Sequence, residues 1–255
     1  MNHKILVGTF HETGTELMGR ILRQISSSLN LRFWNAGGKG AEEPEDWEIG
    51  FHSRSRFPDD LLQRHAHRGV LVIRDPRDVV VSAMRSHGTA GDGWLHVPKE
   101  KFRGMTYQQR LNSFKQPQRR LLFEMNNASG RTIQGMVAAK ARYPTFAVFQ
   151  FEDLTADREL VHFRAMFDHL GLPAERLDDM LRIVEKSLRR LGKVEPPAPV
   201  PSGRPQRWKE EFTPKALETF IQKFSDAPER LGYETSSLEA LLGARPLTAP
   251  TVAPA

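Results

Sequence analysis

Three short apolar runs, each breaking into a turn and then into helical periodicity, constrain the fold of this 255-residue chain more than any other feature. The first, Ile5-Leu6-Val7, passes through Gly8 and Gly14-Thr15 into Leu17, Met18, Ile21, Leu22, Ile25 and Leu29. Steps of three and four predict a helix over about 14–29. The second, Gly69-Val70-Leu71-Val72-Ile73, has no polar alternation and reads as a parallel strand buried on both faces. Arg74-Asp75-Pro76-Arg77-Asp78 and Val79-Val80-Val81 follow it, and Pro76 suits a first helical turn, where its missing N–H would have no partner anyway. The third run, Phe146 to Phe151, leads through Glu152-Asp153-Leu154-Thr155 into a helix expected from about 157 to 170. Gly171-Leu172-Pro173 stops that helix. A mostly helical stretch, roughly 106–142, separates the second and third runs. The Pro- and Gly-rich segment 192–205 reads as a loop, and a helix is expected over about 214–225. Strands alternating with helices imply an α/β fold of three layers, α/β/α, around a central parallel sheet. Residues 1–235 form one expected domain. The remainder, 236–255, is a C-terminal tail whose last ten residues lack the composition of a packed segment.

Hydrophobic residues make up 39% of the chain, enough for one large core. No apolar run approaches the ~20 residues of a membrane span, and the opening residues lack the order of a secretory leader. The chain has no cysteine, which removes disulfides, thiolate metal sites and a cysteine nucleophile. A cytoplasmic enzyme is the expectation. The net charge of +6 suits an anionic partner. The basic residues do not interleave with aromatics as on a nucleic-acid platform, so no nucleic-acid partner is expected.

The turn Gly8-Thr9-Phe10-His11-Glu12-Thr13-Gly14-Thr15 would aim backbone N–H groups and the positive end of a helix at one spot, an arrangement that suits a phosphate. An ordinary tight turn using Gly14 for room is equally open on this segment alone. The magnesium-dependent nucleotidase signature needs Gly, four residues, Gly, Lys and Ser/Thr. Here five residues separate Gly8 from Gly14, and Thr15-Glu16 follows. Asp75, at a strand end, could imitate the metal-binding aspartate of such enzymes, which leaves a magnesium- and ATP-using kinase or NTPase as the alternative.

Four segments in this order resemble the superfamily of sulfotransferases that use 3′-phosphoadenosine 5′-phosphosulfate (PAPS). Thr9 to Leu17 resembles the 5′-phosphosulfate loop, and Val70 to Ser82 resembles the 3′-phosphate segment. Gln150-Phe151-Glu152-Asp153-Leu154 is similar to a recurrent Tyr-Glu-Asp-Leu stretch, and Gly203 through Thr213 resembles the loop that closes over the nucleotide. The likeness spans about residues 4–233. It implies a P-loop NTPase-like sheet, PAPS as sulfuryl donor, a hydroxyl or amine acceptor on a small molecule or carbohydrate, and no metal requirement. By the match, Arg74 and Ser82 bind the 3′-phosphate, in keeping with the planar donor fork of arginine and the hydroxyl of serine. Thr13, Gly14 and Thr15 hold the 5′-phosphosulfate. Arg204, with Arg207, adds phosphate contacts, although Pro201-Ser202-Gly203 stands where the family has Arg-Lys-Gly. Trp208 packs near the adenine, braces the closing loop or belongs to the core. His52 occupies the place of a catalytic base and has the intrinsic pKa for it; a packing role for one of nine histidines is the competing reading.

One position departs in sign. The family lysine before Ser/Thr-Gly-Thr is Glu12 here, a carboxylate beside an anionic donor. Either Glu12 turns away and His11, Lys39 or another cation replaces the lysine, or it acts as an acid, base or cation-recognising group, or the chain binds nucleotide and transfers poorly. The acceptor is expected to lie against 33–60 and 86–145, where Trp34, Trp47, Trp94, Phe102 and Tyr107 line a pocket or pack the core. The stretch 94–120 is a candidate lid. Nothing in the sequence reads on oligomeric state.

Overall fold

The computed structural model describes residues 2–38, 41–191 and 205–235. Its centre is a five-stranded parallel sheet of β1 (Lys4–Gly8), β2 (Phe33–Asn35), β3 (Ile49–His52), β4 (His67–Ile73) and β5 (Ala147–Gln150), in the order β2-β3-β1-β4-β5. Because β1 lies between β3 and β4, the chain crosses over it, and the carboxyl ends of these three strands meet. Gly8 pairs in register with His52 on one side and Leu71 on the other. In open α/β sheets ligands bind at such an edge.

Alternation along the strands assigns the two faces. Ile5, Val7, Ile49, Phe51, Val70 and Val72 point into one core, covered by α1 (Thr15–Ser28), α7 (Phe151–Ala156), α8 (Val161–His169) and α9 (Leu177–Leu191). Leu6, Leu71 and Ile73 point into the other. That face is covered by α2 (Asp59–Arg64), α3 (Pro76–Ser86), α5 (Pro117–Met125), α6 (Ala128–Arg142), α10 (Trp208–Glu211), α11 (Pro214–Phe224) and α12 (Ala227–Leu231). The three-layer parallel architecture expected from the apolar runs is the one observed. A third, smaller cluster joins Leu95, Phe102, Tyr107, Leu111, Phe123 and Ala128 around α4 (Tyr107–Asn112), which a Thr106–Gln109 capping box opens. Among the described residues no helix is long and apolar enough to cross a membrane.

Several boundaries differ from the sequence reading. β2 and β3 were not visible as apolar runs: three and four residues long, they are strands because they pair with neighbours. The Glu-Asp-Leu stretch is itself helix α7, entered directly from β5, so the helix expected over 157–170 is the second of two and starts at Val161. Helix α1 begins at Thr15, Pro76 stands in the first turn of α3, and Gly171, at φ +67°, ends α8, as the pattern predicts. The expected tail 236–255 lies outside the described residues, as do 192–204, which contain Pro201-Ser202-Gly203 and Arg204.

Candidate active site at the carboxyl edge of the sheet

The turn between β1 and α1 is built around two left-handed residues, Glu12 (φ +66°) and Gly14 (φ +84°). A Cβ on Gly14 would stand 2.5 Å from the Phe151 ring, so both the backbone conformation and the close approach of α7 require glycine. No side chain caps α1 at Gly14, which leaves the N–H groups of its first turn directed at the sheet edge. The hydroxyls of this loop are already engaged. Thr13, fully buried, accepts from the Phe10 N–H (2.8 Å) and donates toward the Phe10 and Val72 carbonyls. Thr15 donates to the Phe10 carbonyl (2.7 Å) and lies 2.9 Å from the Thr9 hydroxyl. What Thr13, Gly14 and Thr15 present at this edge is therefore backbone.

Arg74 leaves the end of β4 and Ser82 projects from α3 eight residues later, and the fold brings them together. Arg74 Nη1 donates to Ser82 Oγ (3.0 Å) and to the Glu12 carbonyl (2.9 Å), so the guanidinium also holds the strained loop residue. The arginine is 2% exposed, with its guanidinium 5.1 Å from the Phe151 ring centroid and Nε 4.0 Å from Glu152. Glu152 in turn accepts from the Asp75 N–H and the Tyr233 hydroxyl, both at 2.9 Å. The Glu-Asp-Leu motif thereby ties the end of β4 to the last described turn of the chain.

Glu12 does not turn away. One carboxylate oxygen accepts from Ser82 Oγ (2.6 Å) and the other from Ser86 Oγ (2.7 Å), hydroxyls one helical turn apart on α3. The Ser82 hydroxyl has one proton, and it goes to Glu12. Burial alone would lift the Glu12 carboxyl, but His11, the two serine hydroxyls and His87 together hold it below its ordinary value. The His11 and His87 rings lie 16° from parallel with centroids 4.8 Å apart and their Nε2 atoms at 2.5 Å, so they meet nitrogen to nitrogen. His87, fully buried at the end of α3, places Nδ1 2.8 Å from Glu124, a fully buried carboxylate of α5. Glu124 also accepts from Tyr107 Oη (2.9 Å) and Ser129 Oγ (3.0 Å). Burial lowers the His11 pKa, whereas at His87 the bond to Glu124 and its charge outweigh burial and raise it. Sequence reasoning missed this His11–His87–Glu124 chain. The trace it left is Glu124 itself, a charge between Phe123 and Met125 on the apolar stripe of α5.

His52 ends β3 beside the β1–α1 turn, with its ring edge-on to Phe57. Burial, helped by Arg56 and Arg54, pushes its pKa down to about 4. Its Nδ1 accepts from the Arg54 N–H (3.1 Å), so the neutral ring carries its proton on Nε2. Trp208 is 1% exposed and belongs to the core. Arg77 lies over its ring at 4.1 Å and forks onto Asp75 (2.8 and 2.6 Å). Asp78 accepts from the Gln206 and Trp208 N–H groups (2.7 and 3.0 Å) and anchors the segment entering α10, where Arg207 stands at the helix start. Of the candidate acceptor residues, Trp47, Phe102 and Tyr107 are buried in cores, while Trp34 and Trp94 are half-buried. Lys39 and Arg204 lie outside the described residues.

Chemically, the edge joins an uncapped helix start, a buried Arg–Ser pair, a neutral histidine and a carboxylate–imidazole cluster. No protein-family model and no curated protein matches the chain by sequence. Among solved structures, the chain is similar to mouse sulfotransferase SULT7A1 complexed with PAP: TM-score 0.60, 13% identity, covering 96% of this chain and 90% of that one. It is also similar to retinol dehydratase in complex with androsterone and inactive cofactor PAP: TM-score 0.51, 13% identity, covering 91% and 83%. At that identity the likeness shows the fold.

Proposed function

We propose that this chain, with the fold of PAP-binding sulfotransferases, transfers a sulfuryl group from PAPS to a hydroxyl or amine acceptor. The observation that carries the reading is the convergence of Arg74 and Ser82 with the uncapped start of α1 at one edge of the sheet. Two anionic groups of one nucleotide suit these two positive features: a buried guanidinium beside a hydroxyl for the 3′-phosphate, and helix N–H groups for the 5′-phosphosulfate. PAPS, when bound, supplies the sulfuryl group and an already good leaving group.

The residues of the chain then bind, orient and move a proton. Arg74 and Ser82 fix the nucleotide, and α1 stabilises the charge that grows on the departing phosphate oxygen. His52, neutral at pH 7, accepts the proton that the acceptor releases. It does so at Nδ1, once the Arg54 N–H lets go. Asp75 would be needed for magnesium in a kinase, yet both its oxygens are committed to Arg77, and this disfavours the ATP alternative. A second reading, nucleotide binding without efficient transfer, is favoured by Glu12, which holds the proton of Ser82 and sets a negative charge beside the anion site.

Calorimetric titration with 3′-phosphoadenosine 5′-phosphate (PAP) tests the reading. The wild-type chain binds, and Arg74→Ala and Ser82→Ala each weaken binding, the former by about 10–100-fold, the range of a lost charge-assisted hydrogen bond. Since Arg74 also supports the loop, Ser82→Ala separates ligand contact from loop collapse. Absence of PAP binding to a folded wild-type chain, with ATP binding in the presence of magnesium, would overturn the proposal.

A further inference from the structure

We propose that His11, Glu12 and His87 bind one divalent transition-metal ion of the zinc type, through the two Nε2 atoms and one Glu12 carboxylate oxygen. These donor atoms all lie within 4.8 Å of one another, and among the described residues no other trio of such side chains converges this closely. Two imidazoles and a carboxylate, with a fourth position left to water or substrate, form the donor set of open zinc sites.

The surroundings are those of a site rather than of a chance contact. Glu124 has no proton to give as a carboxylate, so His87 donates to it from Nδ1, and the lone pair of Nε2 points at His11. Tyr107 and Ser129 hold the second oxygen of Glu124, and all of these groups are buried except the half-buried face toward His11. A buried carboxylate that orients a histidine from behind is the usual outer partner of a metal-bound imidazole. Glu12 has outer partners as well, in Ser82 and Ser86. The two Nε2 atoms stand 2.5 Å apart, closer than an ordinary N–H···N bond. Glu12 Oε1 lies 3.4 Å from one and 3.9 Å from the other. Two nitrogen ligands of a tetrahedral ion stand about 3.3 Å apart, so the rings need to part by less than about 1 Å and to tilt from their head-on meeting until both lone pairs converge on the ion. His11 is 37% exposed along its side chain, which gives the ion an entry path. On binding, the proton between the two Nε2 atoms moves to His11 Nδ1, or to solvent where the pair carries an extra proton, so that both rings ligate as neutral imidazoles.

The site rests on ligand geometry alone; its role rests on the sulfotransferase reading. Glu12 stands where the resemblance places a lysine. A divalent ion with one carboxylate ligand carries a net charge of about +1, the charge of that lysine, beside the loop that would meet the 5′-phosphosulfate. The sign mismatch at Glu12 is then a ligand's charge and not a defect.

The test is titration of chelator-stripped protein with Co(II), followed by its visible absorption, and with Zn(II), followed calorimetrically. One equivalent per chain is expected, with the intense bands of tetrahedral Co(II). Glu124→Gln weakens binding by about 10–100-fold, and His11→Ala by more. His11 is the less buried histidine, and circular dichroism confirms that the variant is folded. Binding that is no tighter in wild type than in folded His11→Ala overturns the site. A parallel PAP titration is run in chelator and in Zn(II), with His11→Ala as control for ions bridging phosphate. About tenfold tighter PAP binding with Zn(II) is expected. Equal PAP affinity in both buffers overturns the role, and no PAP binding in either, with Co(II) still bound, overturns the sulfotransferase reading instead.

Discussion

At the scale of single residues, position 12 stands out, because the sulfotransferase resemblance places a lysine there and the chain has Glu12. The charge reversal is legible in the sequence, but its consequence is not. Only the packed structure shows that the carboxylate stays in the site and takes the Ser82 proton. At an effective dielectric of about 20, two unit charges 4 Å apart repel by about 4 kcal/mol. In buffer with chelator, Glu12→Gln is therefore expected to tighten PAP binding by at least about tenfold, measured by calorimetry. Unchanged affinity would mean that the carboxylate swings clear when nucleotide enters. His52 carries a second expectation. With its pKa pushed down to about 4, chiefly by burial, it is uncharged at neutral pH and gains a proton only as pH falls through that value. The ring-proton resonance that disappears in His52→Asn should shift near pH 4. A midpoint between 6 and 7 would show an exposed ring and remove the physical basis for a neutral base.

At the scale of elements, legibility follows length and burial on both faces. Helix α1 announces itself because it buries one face, and α3 and β4 because they bury most of their residues, so periodicity or an unbroken apolar run survives in the sequence. β3, with Gly50 and His52 in its four residues, does not; it becomes a strand by pairing with β1. Helix α7 was hidden for a related reason. Phe151 and Leu154 are buried while Glu152 is drawn inward by the Asp75 N–H and Tyr233, a pattern that no period describes. The junction of β1 and α1 gives the sharpest test at this scale. Gly14→Ala adds a Cβ 2.5 Å from Phe151 at φ +84°. It should cost about 2–5 kcal/mol of stability, read by urea denaturation, and should abolish PAP binding in whatever fraction stays folded. A cost under about 1 kcal/mol would show that α7 yields readily and that the loop is not held by it.

At the scale of the whole molecule, the sheet is clamped between two cores, and the face under α3, α5 and α6 is completed by helices from the far end of the chain. Phe220 and Trp208 are buried there with Leu6 and Leu71 of the central strands. Phe220→Ala should therefore lower stability by about 3–5 kcal/mol while unfolding keeps a single transition for all probes. Two separated transitions would mean that 208–231 folds on its own and merely leans on the sheet. Asp78, two residues after the start of α3, anchors this segment to the helix that carries Ser82.

By itself, the sequence determined the layers and pointed to the carboxyl edge of the sheet as the candidate site. Apolar runs without alternation, bounded by turns, read as strands covered on both sides, and the turns at their ends put Gly14, Arg74 and Ser82 on one side of a parallel sheet, whereas only the resemblance singles out His52. It also exposed Glu12 where the resemblance places a lysine. Tertiary structure alone decided which hydroxyls are engaged within the protein, that Trp208 belongs to the core, and that His11, Glu12, His87 and Glu124 converge. The physical reason is range. Periodicity records what a residue faces within its own element, whereas the partners of a buried polar group come from elements as far apart as β1, α3 and α5, and no local pattern encodes their meeting.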